Sequence, residues 1–337
     1  MARNKGGTLA GKTAALGFDI GGSFVKYGLI DEHGRVLFSS RTPTVLTRGA
    51  SSLLGVLQRL AKESAHRCAA RGLTLRAMGI GSPGTVDART GIVTGQSPNL
   101  PGWVDVELRS PFARFGVPVA VDNDANCSAY AEYRFGAGKG FRDVIAITLG
   151  TGIGSGIVLD GELFHGSHYA GAELGHVSIH ADGPRCGCGN RGCLELYASA
   201  PAILTQARQL AQSHPASALA KVRFNRGGDT PLAGVFRAAR HGDKAAMHLL
   251  KQVADDLAVG LAGIVNAFDP QILVIGGGVA DADPEFVTRV ARRARRLTFQ
   301  SWTRRLRIRR ARLGNQAGFV GAAALGVRLA EAACVKP

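Results

Sequence analysis

One pattern occurs twice in the chain and limits its fold more than any other feature. In the first copy an apolar run at residues 14–20 ends in a glycine turn that begins at Gly21, and a second apolar run closes at Asp31. In the second copy the glycine turn begins at Gly150 and the closing residue is Asp160, so both landmarks are displaced by 129 residues. Each copy predicts a β-hairpin followed by further strands and helices. A duplicated α/β domain explains both.

The length supports two domains, because 337 residues exceed what one hydrophobic core usually organises. We expect a flexible tail at residues 1–13 and a first lobe at residues 14–136. A glycine-rich segment ends that lobe, and a second lobe follows at residues 137–316. The alanine-rich helix predicted at residues 317–333 is expected to pack back on the first lobe.

The charge is strongly basic, with 41 Lys and Arg against 25 Asp and Glu and a net charge of +16. Eleven arginines lie between Arg289 and Arg312. This excess raises nucleic acid, a membrane surface or a polyphosphate as partners. No helix-turn-helix or aromatic-studded basic strand accompanies it, so a solvated helix face is the favoured interpretation. No uninterrupted apolar run reaches the roughly 18 residues of a membrane span, and no secretory signal is present. We expect a cytoplasmic protein with neither a membrane nor a nucleic-acid partner.

A compact group of cysteines predicts a metal centre. Three thiols and one upstream imidazole supply the four N and S ligands of a closed tetrahedral zinc site, which has no open position for catalysis. Reduced surface thiols are the weaker alternative, since intervening glycines provide the tight turns that converging ligands need. The predicted ligands, in a loop at residues 176–195, are His176, Cys186, Cys188 and Cys193.

Several carboxylates have both a structural and a chemical interpretation. Asp19 precedes a glycine turn and fits either a capped hairpin or a Mg²⁺-phosphate site. Asp124 opens a predicted helix and fits either a cap or a general base. Glu173 and Glu195 flank the metal ligands and fit either a solvated pair or hydrogen bonding to a polyol. A third glycine turn, Gly276-Gly277-Gly278, fits either a nucleoside contact or close helix packing.

Taken together, these motifs resemble the ROK sugar kinases and repressors of the actin-like ATPase superfamily. The resemblance covers nearly the whole chain, and its two most specific parts are the last two of the following segments: Asp19-Ile20-Gly21-Gly22, Asn123-Asp124-Ala125-Asn126, Gly150-Thr151-Gly152, Glu173-x-Gly175-His176 and Cys186-x-Cys188-Gly189-x-x-Gly192-Cys193-x-Glu195.

The resemblance implies duplicated actin-like ATPase (ribonuclease H-like) domains with a ligand cleft between them, a homodimer or homotetramer, and ATP, Mg²⁺ and structural Zn²⁺ as cofactors. It implies Asp124 as the catalytic base, and His176 as a residue that serves zinc with one ring nitrogen and sugar with the other. The implied sugar contacts are Asn99, Asn123, Asp124, Glu173, His176 and Glu195. The implied nucleotide contacts are Asp19, Gly21, Gly22, Ser23, Lys26, Gly150, Thr151, Gly152, Gly277 and Gly278.

An ATP-dependent hexose 6-kinase is the expected activity, with glucose as the leading acceptor because the loop at residues 97–103 is similar to that of ROK glucokinases. The alternatives are an N-acetylglucosamine, N-acetylmannosamine, mannose or fructose kinase, a polyphosphate-using glucokinase, and a sugar-binding regulator without catalysis. Lys26 and the arginine stretch keep a polyphosphate donor open. Because the phosphate strand starts near Ala14, we do not expect the N-terminal DNA-binding domain that the family's repressors carry.

Overall fold

A computed structural model describes residues 12–45, 49–97, 100–224, 230–299 and 306–335. Contacts divide the chain into two units. The first ends at Ala131 and resumes at Gln316, and the second runs from Glu132 to Asn315. Most of the predicted tail, Asn99, Arg304 and Arg305 lie outside the described residues.

The secondary structure alternates strands and helices. The strands are β1 (Thr13–Ile20), β2 (Phe24–Ile30), β3 (Val36–Pro43), β4 (Thr74–Ser82), β5 (Val86–Asp87), β6 (Ile92–Val93), β7 (Val106–Glu107), β8 (Val119–Asn123), β9 (Val144–Leu149), β10 (Ile153–Leu159), β11 (Glu162–Leu163), β12 (Ile272–Gly276) and β13 (Arg307–Arg310). The α-helices are α1 (Ala50–Ala69), α2 (Asp124–Arg134), α3 (Glu195–Ala198), α4 (Ala200–Ser213), α5 (Pro231–Arg240), α6 (Lys244–Phe268), α7 (Gly278–Ala282), α8 (Pro284–Leu297) and α9 (Ala317–Val335). Short 3-10 helices lie at Ser110–Phe115, Leu174–His176, Ala218–Lys221 and Gly314–Gln316.

Each unit contains a five-stranded sheet of the same topology. The order is β3-β2-β1-β4-β8 in the first unit and β11-β10-β9-β12-β13 in the second. In both sheets the first three strands are antiparallel neighbours, and the last two join in parallel. The predicted α/β class and the duplicated strand order are confirmed.

The two hairpins differ in their turns by one residue. The last cross-strand pair is Ile20 with Val25 in the first unit, whereas it is Leu149 with Ile153 in the second. Four residues therefore form the first turn and three form the second. The constant displacement of 129 residues holds for the turn start and the closing Asp, but it does not describe the register of β10.

Helix α9 is a core element of the first unit. Together with the short 3-10 helix before it, α9 forms the segment Gly314–Cys334. Among the described residues this is the one helical segment long and apolar enough to cross a membrane, by length and composition alone. Within its most apolar window, 61% is buried inside the protein. A Cβ on Gly17 of β1 would lie 1.8 Å from the Phe319 carbonyl oxygen, and one on Gly79 of β4 would lie 1.7 Å from that of Ala322. The helix backbone therefore packs directly on two central strands, where larger side chains do not fit.

The buried carboxylate of Glu132 forms hydrogen bonds to both segments in which the chain crosses from one unit to the other. Glu132 is 3% exposed. Its Oε2 accepts from the Ala137 N–H at 2.8 Å, and its Oε1 accepts from the Arg312 and Leu313 N–H groups at 2.9 and 2.8 Å. Because a buried carboxylate is costly unless hydrogen-bonded, these three bonds fix the path of both segments. The first crossing falls inside α2, just before the glycine-rich segment that the sequence indicates as a boundary.

Candidate active site

The glycine turn of the first unit is braced by a threonine from beyond β3. The Gly21 N–H donates to the Phe24 carbonyl at 3.0 Å and closes the turn. The Thr44 hydroxyl donates to the Gly21 carbonyl at 2.7 Å, and the Thr44 N–H donates to the Ser23 carbonyl at 3.0 Å. Gly22 and Ser23 are exposed at the tip of this turn. A braced, exposed glycine turn of this kind allows a phosphate to approach the backbone closely.

Asp19 lies just before that turn and pairs with Lys26 on the neighbouring strand. Lys26 Nζ is 3.4 Å from Asp19 Oδ2, and the Asp19 side chain is only 15% exposed. Burial raises the pKa of Asp19 above its ordinary value, while the Lys26 ammonium lowers it. A Cβ on Gly318 would lie 2.4 Å from Asp19 Cγ, so the carboxylate fits against the first turn of α9. The positive end of that helix favours a negative charge at this place.

The Asp122-Asn123-Asp124 segment divides its roles among three residues. Asn123 caps α2, because its Oδ1 accepts from the Ala125 and Asn126 N–H groups at 2.8 and 3.2 Å. Its Nδ2 also donates to the Gly84 carbonyl at 3.0 Å. Asn123 therefore occupies the N-cap position of α2, Asp124 Oδ1 shares the Ala125 N–H at 2.9 Å, and the role of Asp124 as a general base stays a prediction.

The two carboxylates of this segment differ in access to solvent. Asp122 is 4% exposed, and its Oδ1 accepts from the Asn123 N–H and the Asn126 side-chain amide at 2.8 and 2.9 Å. Asp124 is the first residue of α2 and is partly exposed, with its Oδ1 2.9 Å from the Ala125 nitrogen. Of the two residues, Asp124 is the more exposed to solvent.

A buried thiol shows that residues distant in sequence converge in the first unit. Cys127 is fully buried, and burial raises its pKa well above the ordinary value. The negative charges of Asp122, Asp124 and Asp19 raise it further. A thiol that stays protonated is a poor nucleophile, and the three carboxylates around it place Asp19 and Asp124 in one region.

The loop that resembles the glucokinase sugar loop is anchored by a tryptophan. Trp103 is 1% exposed, and its Nε1 donates to the Ser82 hydroxyl at 2.9 Å, at the end of β4. Ser97 and Leu100, on either side of the undescribed Pro98-Asn99 pair, are both buried. Asn99 itself lies outside the described residues, so its predicted sugar contact stays a prediction.

In the second unit the glycine turn lies against the carboxylate of Glu195, a residue outside the hairpin. The Gly150 N–H donates to the Gly152 carbonyl at 2.9 Å, and Thr151 lies exposed at the tip. Glu195 Oε2 accepts from the Ile153 N–H at 2.8 Å. A Cβ on Gly152 would lie 2.4 Å from the same oxygen, so Gly152 makes room for Glu195. Glu195 is thereby fixed at the start of β10.

Glu173 is attached to the same strand by a serine. The Ser155 hydroxyl of β10 donates to the Ala172 carbonyl, and its oxygen accepts from the Leu174 N–H at 3.0 Å. These bonds hold the residues on both sides of Glu173. Partial loss of water raises the Glu173 pKa, His176 lowers it, and Glu195 raises it. Glu195 and the residues on both sides of Glu173 are thus held against β10, and the role of the two carboxylates as a polyol-binding pair stays a prediction.

A candidate metal centre lies beside these carboxylates. One ligand atom from each of the four predicted ligands, His176, Cys186, Cys188 and Cys193, lies within 4.8 Å of all the others. Cys186 Sγ is 3.6 Å from His176 Nδ1, and Cys188 Sγ is 3.6 Å from Cys193 Sγ. A tetrahedron with Zn–S of about 2.3 Å and Zn–N of about 2.0 Å has edges of roughly 3.5 to 3.8 Å. The donor set and its spacing fit zinc, with Nδ1 facing the thiols.

In the third glycine turn, Gly277 fits the packing interpretation and Gly278 leaves space for a ligand. Gly277 has a φ of 90°, and a Cβ there would lie 2.4 Å from the Leu149 carbonyl oxygen, so it serves close packing on β9. Gly278, at the start of α7, is exposed and has open space where a Cβ would stand. The predicted nucleoside contact therefore fits Gly278 better than Gly277.

Two sheets of this order, each with a glycine turn in its first hairpin, define the class of two-domain proteins with the actin-like ATPase fold. The ROK family model matches residues 15–328, and the chain belongs to that family. The chain is 37% identical to a glucokinase of Streptomyces coelicolor over 314 residues, covering 92% of this chain and 96% of the relative. It is 39% identical to a glucokinase of Thermotoga maritima over 275 residues, covering 80% and 84%. A structure of a ROK glucokinase from Streptomyces griseus with glucose and AMPPNP is similar, with a TM-score of 0.79 and 36% identity, covering 94% of this chain and 99% of that one.

Proposed function

We propose that this protein is an ATP-dependent hexose kinase that transfers the γ-phosphate of ATP to the 6-hydroxyl of glucose. The observation that carries the proposal is the partly exposed carboxylate of Asp124, which opens α2 while Asn123 provides the cap. The glucokinase relatives, aligned over most of both chains, support the choice of reaction and of glucose.

In the proposed mechanism Asp124 accepts the proton of the 6-hydroxyl as the oxygen attacks the γ-phosphorus in line with the leaving ADP. Phosphoryl transfer needs little covalent help from a protein, so orientation and charge neutralisation supply most of the rate. A carboxylate within hydrogen-bond reach of the hydroxyl directs the attacking oxygen and removes its proton.

Asp19 and the glycine turns are assigned to the nucleotide. Mg²⁺, when bound, neutralises charge on the phosphate oxygens, and Asp19 is the carboxylate that would hold it or its water ligands. Lys26, 3.4 Å from Asp19, adds a positive charge at the same turn. Gly21, Gly22 and Ser23, with Gly150, Thr151 and Gly152, offer backbone and hydroxyl groups to the phosphates.

Recognition of the sugar is assigned to Asn99, Asn123 and Asp124 and to a second set of Glu173, His176 and Glu195. Glu195 Oε2 already accepts from Ile153, so Oε1 is the oxygen offered to a sugar hydroxyl. With His176 Nδ1 turned to the thiols, Nε2 is the nitrogen available to sugar. His176, Cys186, Cys188 and Cys193 would hold a structural zinc ion, which when bound would fix the orientation of the imidazole and the conformation of the loop beside the carboxylates.

We place the reaction in the cytoplasm and expect a homodimer or homotetramer. None of the six cysteines is in a disulfide, which accords with a reducing compartment. Light scattering of the purified protein gives the oligomeric state directly, and a monomeric mass would refute the expected assembly.

The experiment that tests the proposal is ADP release by purified protein with MgATP and single sugars. Glucose is compared with N-acetylglucosamine, N-acetylmannosamine, mannose and fructose. In a parallel series inorganic polyphosphate replaces ATP, and formation of the sugar phosphate is measured because this donor releases no ADP. A glucose-dependent rate above all others supports the proposal. Preference for another sugar or for polyphosphate would overturn the choice of acceptor or donor, and no turnover with any pair would favour a sugar-binding regulator.

A further inference from the structure

The arginine-rich stretch is not used by the proposed reaction, and part of it lines a groove in the second unit. Helices α6 and α8 form the two walls of this groove, which has a volume of about 530 Å³. Its lining residues are Met247, His248, Lys251, Ala254, Asp255, Arg289, Arg292, Arg293 and Arg296. None of them is among the residues assigned to phosphoryl transfer or to the metal centre.

Four arginines form one stripe along the exposed side of α8. Their positions, Arg289, Arg292, Arg293 and Arg296, follow the i, i+3, i+4 and i+7 spacing that places residues on one helix face. Like charges at these spacings repel one another and weaken an isolated helix. The opposite face of α8 is buried in the apolar core, with Val290 and Ala294 both 0% exposed. Core packing therefore holds the cations together in spite of their repulsion.

The groove contains far more positive than negative charge. Its lining residues include one lysine and four arginines but only one carboxylate, that of Asp255. That carboxylate already has two partners, Lys251 Nζ at 3.1 Å and Arg293 Nε at 3.0 Å. Arg289 pairs loosely with Glu285 of its own helix at 3.9 Å. Arg292 and Arg296 are exposed and form no ion pair with any carboxylate in the described part of the chain.

We propose that this α6/α8 groove binds a ligand that carries a chain of linked phosphate groups. Arginine presents a planar fork of donors that matches phosphate oxygens, and several arginines on one rigid face suit adjacent phosphates better than one isolated anion. The volume is in the range of small-molecule sites. A second copy of the chain is a poor occupant, because a two-fold contact through this face would bring the same cations together.

Isothermal titration with inorganic tripolyphosphate tests the proposal at low salt. The double variant Arg292→Ala/Arg296→Ala is expected to weaken the groove binding at least about tenfold, since two charge-assisted contacts are removed. Arg307→Ala/Arg309→Ala is the matched control: these exposed arginines of β13 stack on Phe141, and their removal changes the net charge equally. The control is expected to bind like the wild type, and tripolyphosphate bound at the ATP site would persist in both variants.

Two further arms identify the ligand. Orthophosphate is expected to bind more weakly than tripolyphosphate, and a short single-stranded oligonucleotide no better than orthophosphate. An unchanged isotherm for Arg292→Ala/Arg296→Ala, an equal loss in both double variants, or stronger binding of the oligonucleotide than of tripolyphosphate would each overturn the proposal. Thermal unfolding of every variant establishes that a loss of binding does not reflect a loss of the fold.

Discussion

The two units share one sheet topology but obtain their acidic groups differently. In the first unit Asp19 belongs to β1, and its cross-strand partner in the hairpin is Lys26. In the second unit the corresponding strand position is Thr148, which pairs with Gly154, and the carboxylate at the turn comes from Glu195. The acid beside the first turn comes from the hairpin itself, whereas the acid beside the second turn comes from Glu195, 42 residues beyond Ile153. By our proposal the acid beside the first hairpin turn, Asp19, serves the phosphates, and the acid beside the second hairpin turn, Glu195, serves the sugar.

Removing the acid of the first hairpin is expected to have the largest effect. Asp19→Asn should lower kcat by roughly 10² to 10³, because the charge that holds Mg²⁺ beside the phosphates is lost. Thr148→Val changes the corresponding position of the second hairpin and should alter kcat by only about two-fold. Steady-state rates with MgATP and glucose measure both, and similar rates for the two variants would contradict the assignment of phosphate binding to the first turn.

The candidate metal centre lies in the second unit, and loss of its metal should act there. Cys186→Ser is expected to reduce bound zinc from about one equivalent to a small fraction, because three remaining ligands bind far more weakly. The loop at residues 176–195 should then be cut faster by protease, and KM for glucose should rise. Cys68→Ser, at a buried thiol of the first unit, is the control, with zinc content unchanged. Full zinc retention in Cys186→Ser would refute the centre.

A smaller effect is expected where α9 meets Asp19. Gly318→Ala places a methyl group within 2.4 to 2.8 Å of the Asp19 carboxylate, so the carboxylate must move. We expect kcat to fall by roughly tenfold, since small misplacements of a catalytic group are costly. Gly263→Ala in α6 meets nothing within 4 Å and should keep its rate while raising stability by about 0.5 to 1 kcal/mol. Unchanged kinetics in Gly318→Ala would show that Asp19 tolerates displacement.

The smallest effect concerns the helix caps of the two units. In the second unit Asp243 caps α6, and bonds from Ser217 and the Ala218 and Ala246 N–H groups lower its pKa despite some loss of water. A carboxyl whose folded-state pKa is lowered stabilises the fold above its unfolded pKa of about 3.9, and this stabilisation is lost as pH falls through the folded value. Asp243→Ala should lower the free energy of unfolding by about 1 kcal/mol at pH 7, with a smaller difference below about pH 4.

Asn123, the cap of α2 in the first unit, is uncharged at every pH. Asn123→Ala should therefore lower stability by about the same amount at pH 7 and at pH 3.5. Urea unfolding at the two pH values compares the variants. A cost that does not depend on pH in Asp243→Ala would contradict the role of its charge.

Local patterns were sufficient to predict much of the molecule. The repeated hairpins, their glycine turns and the cysteine cluster all follow from residues close together in the chain, and the structure brings the four ligand atoms of the cluster within 4.8 Å. Sequence reasoning left Asp124 between cap and base, because both roles suit an Asp at a helix start. In the structure the amide oxygen of Asn123 takes capping bonds from Ala125 and Asn126, and the role of Asp124 as a base stays a prediction.

Other features depend on contacts between residues far apart in the chain, and no local signal indicates them. Glu132 accepts hydrogen bonds from residues 180 and 181 positions later, and periodicity gives no hint of such a partner. Glu195 reaches Ile153 in the same way. Gly318 could have been noticed, since a glycine in the first turn of an alanine-rich helix often marks a close approach. Its neighbour Asp19, however, is known only from the folded chain.

The central claim is that Asp124 removes the proton of the sugar hydroxyl during phosphoryl transfer. Turnover with MgATP and glucose is measured for the wild type, Asp124→Asn and the exposed control Asp105→Asn of the same unit, together with glucose affinity by calorimetry. The account predicts a fall in kcat of about 10² to 10⁴ for Asp124→Asn, with glucose affinity retained and Asp105→Asn unaffected. A near-native rate for Asp124→Asn would contradict it.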